Sequence, residues 1–67
     1  MYEYSVQTRD TELLDSGKAV DMESISAKEI EVGTIVKLFH YDGGTFRYTS
    51  LARVTDKTNK RIYFVKA

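Results

Sequence analysis

The sequence predicts a mainly-β fold: a small barrel or a strongly twisted antiparallel meander of about five strands, with one short helical turn. Three observations carry this. Thr45–Thr55 alternates, with Phe46, Tyr48, Ser50, Ala52 and Val54 in one row and Thr45, Arg47, Thr49, Leu51, Arg53 and Thr55 in the other. That period of two marks a strand with one buried face. Two further strand-like runs flank it, Thr34–Tyr41 and Arg61–Lys66, separated from it by Asp42-Gly43-Gly44 and by Asp56-Lys57-Thr58-Asn59-Lys60. Glycines after Asp42 supply the positive φ that tight hairpins need. The chain has 67 residues and no proline, which makes residues 1–67 a single domain near the lower size limit for one core.

Taken in order, Tyr2–Thr8 alternates between Tyr2, Tyr4, Val6 and Thr8 on one side and Glu3, Ser5 and Gln7 on the other. It reads as a strand with one wet face. Arg9–Met22 admits two readings. In the favoured one, Glu12-Leu13-Leu14 and Lys18-Ala19-Val20 form a hairpin around Asp15-Ser16-Gly17. In the other, a short helix starts at Asp10 and stops at Gly17. Ser26-Ala27-Lys28-Glu29 matches a capping box, in which the Ser26 hydroxyl accepts from the Glu29 amide. Ile25 and Ile30 are spaced as a hydrophobic staple across that cap, and Gly33 ends the turn.

Thr34–Tyr41 carries apolar residues on both faces: Val36 and Leu38 in one row, Ile35, Phe39 and Tyr41 in the other. A short strand covered on both sides fits a closed or semi-closed barrel better than an open sheet. Closure would also remove an exposed edge at Arg61–Val65. The expected core is Val36, Leu38, Phe46, Tyr48, Ala52, Val54, Ile62 and Phe64, completed by Val6, Tyr4, Ile25 and Ile30.

Val32-Gly33-Thr34-Ile35-Val36-Lys37-Leu38, then Asp42-Gly43, Phe46-Arg47-Tyr48, Ala52-Arg53-Val54 and Ile62-Tyr63-Phe64-Val65 resemble the layout of Tudor and other SH3-like small barrels. The resemblance covers about half the chain and implies an SH3-like barrel. Tudor domains commonly place Trp after the Asp-Gly turn and close with an acid-containing motif; this chain has neither. A methylated lysine or arginine is held by several rings with an acid nearby. Tyr41, Phe46 and Tyr48 could supply rings, but the acid is missing. Only the fold is carried over.

Composition narrows the chemistry. There is no cysteine and one histidine, so no disulfide and no thiolate metal site forms, and neither metal nor cofactor is expected. His40, between Phe39 and Tyr41, reads as a strand residue at a barrel rim. No serine sits in a nucleophile-elbow context, and Asp42-Gly43-Gly44 lacks the Gly-Lys-Ser/Thr ending of a phosphate loop. A non-enzyme is the expectation. No apolar run is long enough to span a bilayer, and Met1-Tyr2-Glu3-Tyr4 lacks the basic start of a signal peptide. Cytoplasmic localisation and no membrane association are expected.

Net charge is zero, but it is unevenly spread. Residues 1–33 hold three bases against eight acids, a balance of −5; residues 34–67 hold seven bases against two acids, +5. Either the halves pair with each other in the fold, or they form an acidic and a basic face.

Two functional classes follow. The first is a protein-interaction module, such as a small adaptor or an inhibitor of a larger protein; phages and mobile elements encode many proteins of this size. The second is a nucleic-acid-binding barrel, with basic groups interleaved among Phe46, Tyr48, Tyr63 and Phe64. In either class the candidate partner-binding residues are a basic edge of Arg47, Arg53, Lys57, Lys60 and Arg61. The alternative set is the acidic half, Glu12, Asp15, Asp21 and Glu23. Tyr41 and Tyr63 are the candidate surface aromatics.

Overall fold

The computed structural model describes residues 1–67. Five strands and one helix follow in the order β1 (Glu3–Val6), α1 (Thr8–Asp15), β2 (Val20–Glu23), β3 (Ile35–Asp42), β4 (Thr45–Lys57) and β5 (Arg61–Lys66). They form one curled sheet in the order β1-β3-β4-β5-β2. The β3-β4-β5 meander is antiparallel, β2 pairs antiparallel with β5, and β1 runs parallel to β3. The sheet is therefore mixed rather than wholly antiparallel. This small half-barrel is compatible with an SH3-like fold. A side-chain bridge, Tyr4 Oη to Ser24 Oγ at 2.8 Å, ties edge strand β1 to the residue that follows edge strand β2.

The concave face holds the core. Val6, Leu14, Val20, Ala27, Ile30, Val36, Leu38, Ala52, Val54, Ile62 and Phe64 are buried together. Alternation places them: Val36 and Leu38, Ala52 and Val54, and Ile62 and Phe64 are same-face rows of three neighbouring strands. Helix α1 and the turn around Ala27 cap this face, with Leu14, Ala27 and Ile30 pointing in.

Residues 9–22 form a helix and then a strand, so the hairpin reading is overturned. The reason lies in how Gly17 ends the helix. At φ +78° it lets its own N–H reach Leu14 O at 3.0 Å and the Lys18 N–H reach Leu13 O at 2.9 Å. That Schellman closure satisfies two terminal carbonyls that a hairpin would have to pair elsewhere. At the other end, Gln7 N–H donates to Asp10 Oδ2 at 3.4 Å, and the strand of Tyr2–Thr8 stops at Val6.

The capping box at Ser26 is also corrected. Ser24 supplies the hydroxyl: its Oγ accepts the Ser26 N–H at 3.2 Å, while Ser26 contributes its backbone carbonyl to Glu29 N–H at 2.9 Å. The staple fails with it. Ile30 is buried, but Ile25 is fully exposed at 104%. Only a single turn forms, and nothing carries Ile25 back over it.

Two one-residue register shifts decide the rest. Between His40 and Tyr41 the partner on β4 jumps from Tyr48 to Phe46, leaving Arg47 bulged. Between Val54 and Asp56 the partner on β5 moves by only one residue, leaving Thr55 bulged. A bulge inverts the facing of every residue beyond it. Phe46 and Tyr48, expected side by side in the core, therefore lie on opposite faces, and both are about half exposed, at 50% and 45%.

Candidate interaction surface

The predicted basic edge does not form as one surface. Lys57, turned inward by the Thr55 bulge, donates its ammonium to the backbone oxygens of Lys28, at 3.1 Å, and Ile30. Arg61 Nε pairs with Asp21 Oδ2 at 2.8 Å. Arg47, at the other bulge, lies 3.6 Å from Asp42. Asp42 also accepts the Thr8 hydroxyl at 3.1 Å, which ties the β3–β4 hairpin to the start of α1. Lys60 is exposed in the β4–β5 turn, and its carbonyl accepts the Ser24 N–H at 2.8 Å. Arg53 is exposed and makes no ion pair.

The acidic set divides in the same way. Asp15 meets Lys66 at 3.3 Å and Asp21 meets Arg61, so two of the three ion pairs join the acidic half of the sequence to the basic half. Glu12 on α1 and Glu23 on β2 are exposed and make no ion pair. Of the two aromatics, Tyr41 is half-buried and meets Phe46 edge-on at 5.8 Å. Tyr63 is half-buried between Asp21 and Asp56 in register.

What gathers instead is the convex face of the sheet. Ile35, Phe39 and Tyr41 of β3, Phe46 and Leu51 of β4 and Val65 of β5 all point away from the core. Leu51 is 47% exposed, and neither α1 nor the Ala27 turn covers this side. Phe39 and Phe46 pack at 6.2 Å with planes tilted by 52°. The Lys37 ammonium lies 5.3 Å from the centre of the Phe39 ring. Register sets Lys37 directly opposite Leu51, and sets Arg53 between Ile35 and Val65. The sequence signal was present in the second apolar row of Thr34–Tyr41. Full closure with a covered outer side would make it a second buried face; the half-barrel leaves that row outside. The bulge puts Tyr41 and Phe46 here and Tyr48 on the far side, so these three rings build no cage.

On the concave side, His40 is buried at 4% exposure, deeper than a rim position. Its Nδ1 meets Thr11 Oγ1 and its Nε2 meets Ser50 Oγ, each at 2.6 Å. Thr11 Oγ1 also donates to Gln7 O at 3.3 Å, so it accepts from Nδ1–H, and Ser50 donates to Nε2. The ring stacks on Tyr48 at 4.3 Å with a 12° tilt. Burial pushes the imidazole pKa down, Asp15 raises it and Lys66 lowers it. This neutral ring ties α1 and β4 to β3. Beside it lies a cavity of about 40 Å³ whose lining includes Leu14, Asp15, Leu38, Tyr48, Ser50 and Lys66. No three acids and histidines converge on a metal-sized site, and no helix is long and apolar enough to cross a membrane.

No protein-family model matches the chain, and no curated protein matches it.

Proposed function

We propose that this protein is a non-enzymatic protein-interaction module, an adaptor or an inhibitor of a larger protein, that docks through the convex face of β3, β4 and β5. The observation that carries this reading is the group of apolar side chains on the convex sheet face, Ile35, Phe39, Phe46, Leu51 and Val65, of which Phe46 and Leu51 are about half exposed and the others half-buried. Antiparallel sheets of small proteins keep one face polar where it meets water. Large apolar side chains gathered on the wet side of a sheet suit an interaction site. The half-barrel is compatible with an SH3-like fold, and small barrels of the Tudor and SH3-like kind act as binding modules, which supports the reading in a general way.

The nucleic-acid alternative has less support. The rings it needs are engaged with each other: Phe46 with Phe39 and Tyr41, and Tyr48 with His40. Its cations are spread over several surfaces, and Lys57 and Arg61 already have partners. A catalytic role for Ser50 and His40 is not favoured either. The other ring nitrogen faces a threonine hydroxyl, where a Ser-His pair uses a carboxylate to stabilise the imidazolium.

The test is a proximity cross-link from the face. A photoreactive benzoylphenylalanine at position 51 should capture a specific protein in host lysate, whereas the same group at Lys60 should not. Leu51→Gln with Phe46→Ser should abolish co-purification of that protein while the fold survives. Retained co-purification by the double variant would refute docking through this face.

A further inference from the structure

We infer that the partner presents an acidic, apolar-anchored segment to the convex face, an inference that rests on the docking reading above. The argument is one of charge around the apolar centre. Leu51 has Lys37 opposite it on β3 and Arg53 two residues along on its own strand. Directly opposed cross-strand residues have Cβ atoms roughly 5 Å apart, and same-face residues of one strand are spaced by roughly 6.7 Å. Both cations therefore stand within side-chain reach of whatever covers Leu51.

Neither cation is neutralised within the molecule. Arg53 makes no ion pair and no side-chain hydrogen bond. Lys37 is in register with Glu3, yet they form no ion pair; its ammonium rests over the Phe39 ring instead. The acids of this face sit away from Leu51, with Glu3 on the β1 edge and Asp21, Glu23 and Asp56 around Tyr63 and Arg61. The face is thus apolar and cationic over β3 and β4, and acidic toward β2.

A partner that buries Leu51 also takes water from Lys37 and Arg53. A desolvated, unpaired charge costs several kcal/mol, so a purely apolar partner would be penalised and a basic one repelled. A segment with carboxylates about one helical turn from an apolar anchor meets all three side chains, since a turn advances roughly 5.4 Å. Its charge would also speed encounter and make association salt-dependent.

The experiment uses the whole chain labelled with nitrogen-15 and three probes. The first is the synthetic amphipathic peptide acetyl-Ser-Glu-Glu-Leu-Leu-Glu-Asp-Phe-Leu-Glu-Glu-Ala-amide. The second is the same peptide with every Glu and Asp replaced by its amide, and the third is oligothymidylate. The acidic peptide should shift the amide resonances of Lys37, Phe39, Leu51, Arg53 and Val65. It should bind at least roughly tenfold more tightly than the amide peptide at low salt and lose that advantage at high salt. Lys37→Glu with Arg53→Glu should remove the advantage, and an unchanged circular-dichroism melt should show that this variant folds.

Equal binding of both peptides, insensitive to charge reversal but lost in Leu51→Gln, would overturn the acidic partner and leave the docking face standing. No shift on this face with either peptide would overturn both. Shifts on the same residues with oligothymidylate alone would replace the protein partner with a nucleic acid.

Discussion

Lys57→Met asks whether this lysine belongs to the surface or to the architecture. Methionine keeps the apolar stem and removes the ammonium. The native Nζ satisfies two carbonyls of the Ala27 turn, Lys28 O in an exposed position and Ile30 O in a partly buried one. The exposed bond is replaced by water and contributes little. Leaving the partly buried carbonyl without a donor costs about 1–3 kcal/mol, and a charged donor places the loss toward the middle of that range, about 2 kcal/mol. For a chain of this size, 1 kcal/mol moves the melting temperature by about 4–8 °C, so the variant should melt about 8–16 °C lower. Thermal unfolding followed by circular dichroism reads this directly. A shift below about 3 °C would refute the claim that Lys57 pins the turn to β4. The outcome also bears on any binding test by charge reversal. Lys57→Glu would set a carboxylate against two carbonyls and unfold the turn, so a triple reversal of Lys57, Lys60 and Arg61 would report on folding rather than on a partner.

Phe64 is fully buried at the centre of the core, and Phe64→Ala should cost about 3–5 kcal/mol in chemical denaturation, most of the stability of a domain this small. An unchanged midpoint would contradict the assigned core. Ser24→Ala should cost about 1–2 kcal/mol, since it removes the acceptor of the Ser26 N–H and the partner of Tyr4, whereas Ser26→Ala should stay within about 0.5 kcal/mol; the reverse order would restore the cap to Ser26. His40 is held neutral with a lowered pKa, so its share of stability is complete above the unfolded value of about 6.5 and is lost as pH falls below it toward the folded pKa. Melting temperatures between pH 7 and 5 should decline in the parent and decline less in His40→Gln; parallel declines would remove His40 as the cause. The groups that set this titration face the ring from three elements: Thr11 and Asp15 on α1, Tyr48 and Ser50 on β4, and Lys66 on β5.

Local pattern made the meander legible. Thr45–Thr55, Arg61–Lys66 and the two-glycine turn carry their own instructions, and Gly43 and Gly44 take φ of +57° and +85° as a tight hairpin requires. Val36, Leu38, Ala52, Val54, Ile62 and Phe64 follow from alternation alone. Alternation fails where the chain inserts a residue. Neither Arg47 nor Thr55 announces a bulge, and each reverses everything between itself and the nearest turn. Phe46 left the core by that route, and Lys57 left the surface. The helix was less legible because Leu13-Leu14 fits either period and Gly17 closes either element; the Schellman bonds that decide it involve Lys18, which has no helical signature. The interaction face was written in the sequence as the second apolar row of β3. Reading it as a surface required knowing that the sheet stops short of closure.

That incomplete closure leaves three surfaces to protect, and the chain treats them differently. The two edges are guarded. β1 and β2 have four residues each, and their outward side chains include Glu3, Asp21 and Glu23. Short, charged edge strands resist pairing with other chains. The β3–β4 hairpin beyond β1 and β5 carries a bulge and Arg47, which blunt it in the same way. The convex face has no comparable device. Over β3 and β4 it interleaves Ile35, Phe39, Leu51 and Phe46 with only Thr49, Lys37 and Arg53, and its acids, Glu3 on β1 and Asp21, Glu23 and Asp56 toward β2, lie at its margins. A sequence selected only for solubility would place a charge at Leu51, where exposure makes the substitution nearly free. Guarded edges beside an unguarded apolar face favour docking of a folded surface or a helix over addition of a strand. An acidic amphipathic segment is the form of partner that this face, rather than the edges, can accept.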